Sequence, residues 1–93
     1  MYQNGEKGGT IENNYCIYVH LFPNNKAYVG LTKQVPATRW GHDGVGYKGQ
    51  PVYEAIEEFG WDNIQHIIIQ DHLGFKEAQE LEIEMIQKYD SIN

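Results

Sequence analysis

Two runs of alternating residues around a polar turn set the strictest condition on how this chain folds. In "YCIYVHLFPNNKAYVGLTKQ", Tyr15 to Gln34, the first run puts Tyr15, Ile17, Val19 and Leu21 on one parity and Cys16, Tyr18 and His20 on the other. Such alternation reads as a strand with two unlike faces, and "PNNK" is turn chemistry. The spacing predicts strands over residues 15–22 and 27–31, with Gly30 at a close backbone approach or a bulge. Because side chains alternate, the length of the connection decides which faces meet. A four-residue loop would set Tyr28 opposite Leu21, on the wrong side to join Tyr18. An odd connection, such as a five-residue turn, or a bulge would bring both tyrosines to one face.

The rest of the chain supplies helices and one more strand. Residues 1–13 are polar, glycine-containing and aperiodic, which predicts a flexible lead-in. Pro36 suits the first turn of a short helix that carries Arg39 and Trp40 and ends at Gly41. "GHDGVGYKGQ", with four glycines in ten residues, follows as a loop. Pro51 opens a second helix, "PVYEAIEEF", and Gly60 closes it. "NIQHIII" alternates and then runs aliphatic, as a central strand would, and residues 75–89 form the clearest helix. The expected fold is α+β: a three-stranded antiparallel sheet flanked by three helices.

At 93 residues the chain makes one small domain with a thin core. It has no apolar run long enough to span a membrane and no leader of the charged-then-apolar kind. Its single cysteine, Cys16, has no internal disulfide partner, which predicts a reduced, soluble, cytoplasmic protein. No pair of histidines and cysteines has zinc spacing. A net charge of −6 argues against a nonspecific nucleic-acid binder. The charge is uneven, however: residues 26–48 carry Lys26, Lys33, Arg39 and Lys48 against Asp43, for +3, while residues 49–93 carry −8. A cationic middle on an acidic frame suits a local phosphate site with weak overall affinity, Lys33 and Lys48 being candidate substrate contacts.

One carboxylate stands out. With about 100° per helical residue, Phe75, Ala78, Leu81, Met85, Ile86 and Tyr89 share a stripe, and Glu82 sits within it beside Ala78, Gln79, Met85 and Ile86. Two readings meet this pattern: an edge carboxylate satisfied by Arg39, a lysine or a backbone amide, or a ligand for a hard divalent cation. Arg39 is the only arginine, and its rigid fork suits phosphate or carboxylate, though a surface salt bridge is the commoner fate. His42 and Tyr47, in the glycine-rich loop, are candidate proton carriers, each more often an ordinary loop residue. His20 shares parity with Tyr18 and is a weaker candidate, and His66 reads as a satisfied histidine on a core strand.

These residues resemble a known family. "CIY" at 16–18 and "YVG" at 28–30, with nine residues between the tyrosines, look like the paired words of the GIY-YIG nuclease superfamily. "TRW" at 38–40 is similar to its arginine on the first helix, and "EAQELEIEMI" at 77–86 to the helix with its metal-binding glutamate, here Glu82. "YEAIEEFGWDNIQHIII" resembles the middle of small bacterial and phage members, so the likeness spans residues 14–93. The resemblance implies an endonuclease that cuts phosphodiester bonds of nucleic acid, DNA before RNA, with a single Mg²⁺ or Mn²⁺ on Glu82. It implies that Arg39 contacts the scissile phosphate and that Tyr18 is the general base or its relay, with Tyr28 hydrogen-bonded nearby. His42 or Tyr47 fills an auxiliary position, the choice left open. It also implies a separate DNA-binding domain or partner.

Two departures bear on this reading. Cys16 replaces the first glycine of the name, and no "GYN"-like word follows the glutamate helix. The family asparagine is then either Asn93, eleven residues past Glu82, or a residue beyond it; the missing Gly-Tyr favours a further C-terminal segment. That would weaken the activity of this chain, and a catalytically weakened nucleic-acid or protein binding module of the same fold is the rival expectation. A coincidence of words predicts instead that Tyr18, Tyr28, Arg39 and Glu82 scatter to different faces.

Overall fold

The computed structural model describes residues 14–89, so the lead-in expected at 1–13 and Asn93 lie outside the described residues. Its elements are β1 (Tyr15–Leu21), β2 (Ala27–Thr32), α1 (Pro36–Trp40), α2 (Val52–Phe59), β3 (Gln65–Leu73) and α3 (Phe75–Tyr89). Short 3-10 turns cover His42–Tyr47 and Trp61–Asn63. The antiparallel sheet has the order β2-β1-β3, and with its helices it is the α+β fold expected.

The hairpin is of the odd kind. Leu21 pairs with Ala27, His20 with Tyr28 and Tyr18 with Gly30, leaving the five residues 22–26 as the connection. Asn25 takes a positive φ of 68° there. Phe22 N–H donates to Lys26 O at 2.8 Å, and the Asn24 side chain accepts from Lys26 N–H at 3.0 Å. Tyr18, His20 and Tyr28 therefore share one face of the sheet.

Gly30 lies opposite Tyr18, and a Cβ at that position would collide with the Tyr18 ring and hydroxyl. The glycine of "YVG" is thus space for the tyrosine of "CIY". Gly30→Ala is expected to cost about 1–3 kcal/mol through overpacking. Thermal denaturation checks it, and the loss should shrink by at least half in a Tyr18→Ala background.

β1, not β3, is the central strand. Among the described residues β3 pairs with β1 alone, and its Ile68 is 45% exposed. An aliphatic run signals apolar surroundings, but it does not reveal whether hydrogen bonds leave a strand on one side or both. Along β1–β3, His20 pairs with His66 and Tyr18 with Ile68, before the register shifts on either side of Ile17.

Each face of the sheet has its own core. Ile17, Val19, Ala27, Val29 and Leu73 pack with Ala78 and Met85 of α3. On the other face Tyr18, Phe22 and Tyr47 pack with Val52, Ile56 and Ile64, and Tyr28, Trp40 and Trp61 rest against them. The parity of β1 is divided between these two cores, so its polar-bearing face is buried as fully as its aliphatic one. On α3, Ala78 and Met85 are buried, whereas Phe75, expected on the same stripe, is exposed and tilted against Tyr15 at 5.2 Å between ring centroids.

Candidate active site

Tyr18 and His20 come to the site on β1, Tyr28 on β2, and Tyr47 on the glycine-rich segment. That segment folds back over the sheet through positive φ at Gly41, Asp43 and Gly44. Gly46 has no room for a side chain, since a Cβ would collide with the carbonyl oxygen of Arg39. The tight return delivers Tyr47 onto Tyr18 and His20, fully buried.

A chain of short hydrogen bonds joins these groups. The Tyr18 and Tyr47 hydroxyls share one at 2.8 Å, and Tyr47 Oη lies 2.8 Å from His20 Nε2. His20 Nδ1 lies 2.9 Å from His66 Nδ1, and His66 Nε2 lies 3.0 Å from Trp61 O. The ring of His66 stacks on Trp61 with centroids 3.9 Å apart. Trp40 meets His20 edge-on at 4.9 Å and Tyr18 at 5.5 Å.

Burial dominates the acid–base character of the cluster. It raises the Tyr18 phenol; the Tyr47 hydrogen bond, Arg39 and the Trp40 indole act in the lowering direction, and the charge of Tyr28 in the raising one. Trp40 Nε1 is itself buried, and among the described residues no group meets it in hydrogen-bonding geometry. Tyr47 is pushed far above the phenol range, first by burial and then by its contacts with Tyr18. Burial, the charge of His66 and that of Arg39 hold His20 down to about 3, so it is neutral at physiological pH. Burial also lowers His66, while Trp61 O and Asp62 oppose it.

Arg39 reaches this cluster from α1. Its Nη1 donates to Gly46 O at 3.0 Å, and its guanidinium lies over the Tyr47 ring at 4.5 Å. Glu82, half-buried on α3, stands near enough to Tyr28 that its charge adds to burial in raising that phenol, with Arg39 opposing. Among the described residues Glu82 makes no hydrogen bond or ion pair, and burial raises its own pKa. No group of three or more His, Cys, Asp and Glu side chains is placed to hold a metal among the described residues. A family model described as the GIY-YIG catalytic domain matches residues 14–93. The chain belongs to the GIY-YIG family. Membership points to a nuclease-type function. No curated protein and no solved structure matches.

In this GIY-YIG domain, Tyr18, Tyr28, Tyr47 and Arg39 converge, and the charge of Glu82 reaches Tyr28. His42 does not join them: its side chain is 92% exposed and pairs with Asp43 at 3.1 Å. Lys33 and Lys48 are exposed, and among the described residues no hydrogen bond or ion pair ties either side chain to the cluster. The hydrogen-bond partner of Tyr18 is Tyr47 rather than Tyr28, because the register sets Gly30 opposite Tyr18 and Tyr28 opposite His20. Tyr28 instead stacks on His20 at 6.1 Å and meets Tyr47 edge-on at 5.3 Å.

Sequence reasoning undervalued His20 and His66. Parity already placed His20 beside Tyr18. Nothing local could have paired it with His66, since that contact depends on the register between β1 and β3.

Proposed function

We propose that this GIY-YIG domain is a metal-dependent endonuclease that hydrolyses phosphodiester bonds in DNA. The observation that supports it best is the meeting of Arg39, Tyr18, Tyr47 and Tyr28 on one sheet face, with an unpaired carboxylate at the margin. Such a carboxylate, half-buried and without a cation, fits a hard divalent ion. Glu82 would hold one Mg²⁺ or Mn²⁺, which when bound supplies charge neutralisation at the phosphate and acidifies nearby water.

The other side chains divide the remaining work. Arg39 spends one donor on Gly46 O, and its other N–H groups are available to a phosphate. The Tyr47 ring beneath the guanidinium holds that fork in place. Tyr18 takes the proton of the attacking water. At 1% exposure it is covered, so a neighbouring element must shift to admit substrate, and α1, whose Trp40 lies against its ring, is one such element. α1 suits that movement: it is five residues long and has no buried residue. Tyr28, between Arg39 and Glu82, orients the incoming group by its hydroxyl. The net charge of −6 leaves little affinity for DNA, so a further DNA-binding domain or partner supplies it. Bacterial or phage mobile elements are the expected setting, in the cytoplasm; no helix among the described residues is long and apolar enough to cross a membrane.

Incubation with supercoiled plasmid tests this reading. Nicks are expected with Mg²⁺ or Mn²⁺ and none once EDTA is added. A chain that binds DNA but leaves it uncut with either ion would be the catalytically weakened binding module instead.

A further inference from the structure

We propose that His20 and His66 are positioning residues that make Tyr18 a proton acceptor, by directing the hydrogen-bond chain inward and carrying one proton from Tyr18 to His66. The role rests on the nuclease reading above; the direction of the chain rests on its contacts and on the protonation state of His66.

The chain ends at a group that can only accept. Trp61 O lies 3.0 Å from His66 Nε2, so that nitrogen carries hydrogen. While His66 is neutral its Nδ1 is bare, and the facing His20 Nδ1, 2.9 Å away, must donate to it. Neutral His20 then accepts at Nε2 from the Tyr47 hydroxyl, at 2.8 Å. The Tyr47 hydroxyl has one hydrogen: the geometry allows it to donate to Tyr18 Oη at 2.8 Å, and once that hydrogen is given to His20 instead, the Tyr18 hydroxyl turns to donate to Tyr47. Every donor of this chain points away from Tyr18 Oη, leaving its lone pairs to the neighbouring Trp40 indole and, once the cover over Tyr18 moves, to an incoming water. If His66 is protonated, each bond reverses: His66 Nδ1–H donates to His20, His20 Nε2–H to Tyr47, and Tyr47 to Tyr18, whose own O–H turns outward.

The two arrangements differ by one proton, which is the proton to be removed. Tyr18 Oη takes it from the water, leaving hydroxide. The Tyr18 proton passes to Tyr47, that of Tyr47 to His20 Nε2, and the His20 Nδ1 proton to His66 Nδ1. Each transfer breaks one bond to hydrogen and forms one, and the positive charge ends on His66. No phenolate forms, which suits a site whose burial raises both Tyr18 and Tyr47. The charge comes to rest where it is best tolerated: His66 is half-buried and favoured by Trp61 O and Asp62, whereas His20 is 0% exposed. Running the chain backward hands Tyr18 its original proton from Tyr47 while the one taken from water leaves the outward side of Tyr18 Oη to the leaving oxygen or to solvent, which restores the first arrangement. The titratable and charged groups facing the two imidazoles are Tyr18, Tyr28 and Tyr47, the Arg39 guanidinium, which opposes protonation of His20, and Asp62, which favours that of His66.

Imidazole nitrogen NMR on the full chain tests this without any cleavage. At neutral pH His20 should carry its hydrogen on Nδ1 and His66 on Nε2. On acidification His66 should gain a second proton, and at the same midpoint His20 should switch to Nε2–H. In His66→Gln the amide can still accept from His20 and donate to Trp61 O but cannot bind a proton, so the switch should vanish. In the plasmid assay the same variant should lose at least about tenfold in kcat, with KM unchanged, together with the acid limb of the pH profile. His72→Gln, an exposed histidine paired with Asp71, should keep both. His20 holding its hydrogen on Nε2 at neutral pH, or keeping Nδ1–H while His66 titrates, overturns the proposal, as does undiminished kcat in His66→Gln. If the wild type cuts no DNA, the nuclease reading fails and the NMR switch alone decides the direction of the chain.

Discussion

Replacing Glu82 with glutamine is expected to abolish metal-dependent nicking and, with it, the stabilisation that a divalent cation confers. Glutamine keeps the shape of the side chain and removes its charge. Burial raises the folded-state pKa of Glu82 above its unfolded value. Its contribution to stability is therefore complete at acid pH and is lost as pH rises through the raised pKa. Above that pKa the ionised carboxylate weakens the fold, and a cation paired with it would relieve the cost. A cation at about ten times its dissociation constant should raise the wild-type melting temperature by roughly 5–10 °C. Glu82→Gln should show no such rise, while its metal-free form melts at or above the wild-type temperature at neutral pH. Calorimetry with and without Mg²⁺ reads this independently of cleavage. An equal metal-induced shift in the variant would remove Glu82 as the ligand.

Tyr18→Phe is the second large effect. The phenylalanine ring fills the same space over Gly30 and keeps the packing with Trp40. What it removes is the oxygen proposed to accept a proton from water, which is also the partner of Tyr47 at 2.8 Å. Losing a positioned acid–base group should lower kcat by about 10²–10⁴-fold, with little change in KM. Tyr47 keeps its bond to His20, so the stability change should stay near that of one hydrogen bond, about 1 kcal/mol. Single-turnover cleavage together with a denaturant melt separates the two. A variant that melts normally and cuts at the wild-type rate would show that Tyr18 only packs.

Much of this site is legible in the amino-acid sequence. Glu82 breaks the apolar stripe of α3, because an amphipathic helix leaves no neutral place for a carboxylate on that face. Residues 75–89 read as a helix and form one with those bounds. Gly30 reads as a close approach, and the Tyr18 ring is what approaches it. His42 and Tyr47 cannot be separated by sequence, since both sit in one glycine-rich loop. Three positive-φ residues turn that loop so that Tyr47 lands on the sheet while His42 stays in solvent.

By itself, then, the sequence determined the two-faced character of β1, the helix that carries Glu82, and the family to which the chain belongs. The tertiary structure decided that five residues join β1 to β2, that β3 lies at the edge, and that His66 meets His20. The physical reason is one of range. Periodicity within an element reports which of its own faces is buried. The offset between paired strands depends on how both faces of the sheet pack at once, and no single segment carries that information. The tyrosine words look alike on paper, but the register gives them different tasks. Tyr18 lies over Gly30 and bonds to Tyr47, while Tyr28 stacks on His20 and feels the charge of Glu82.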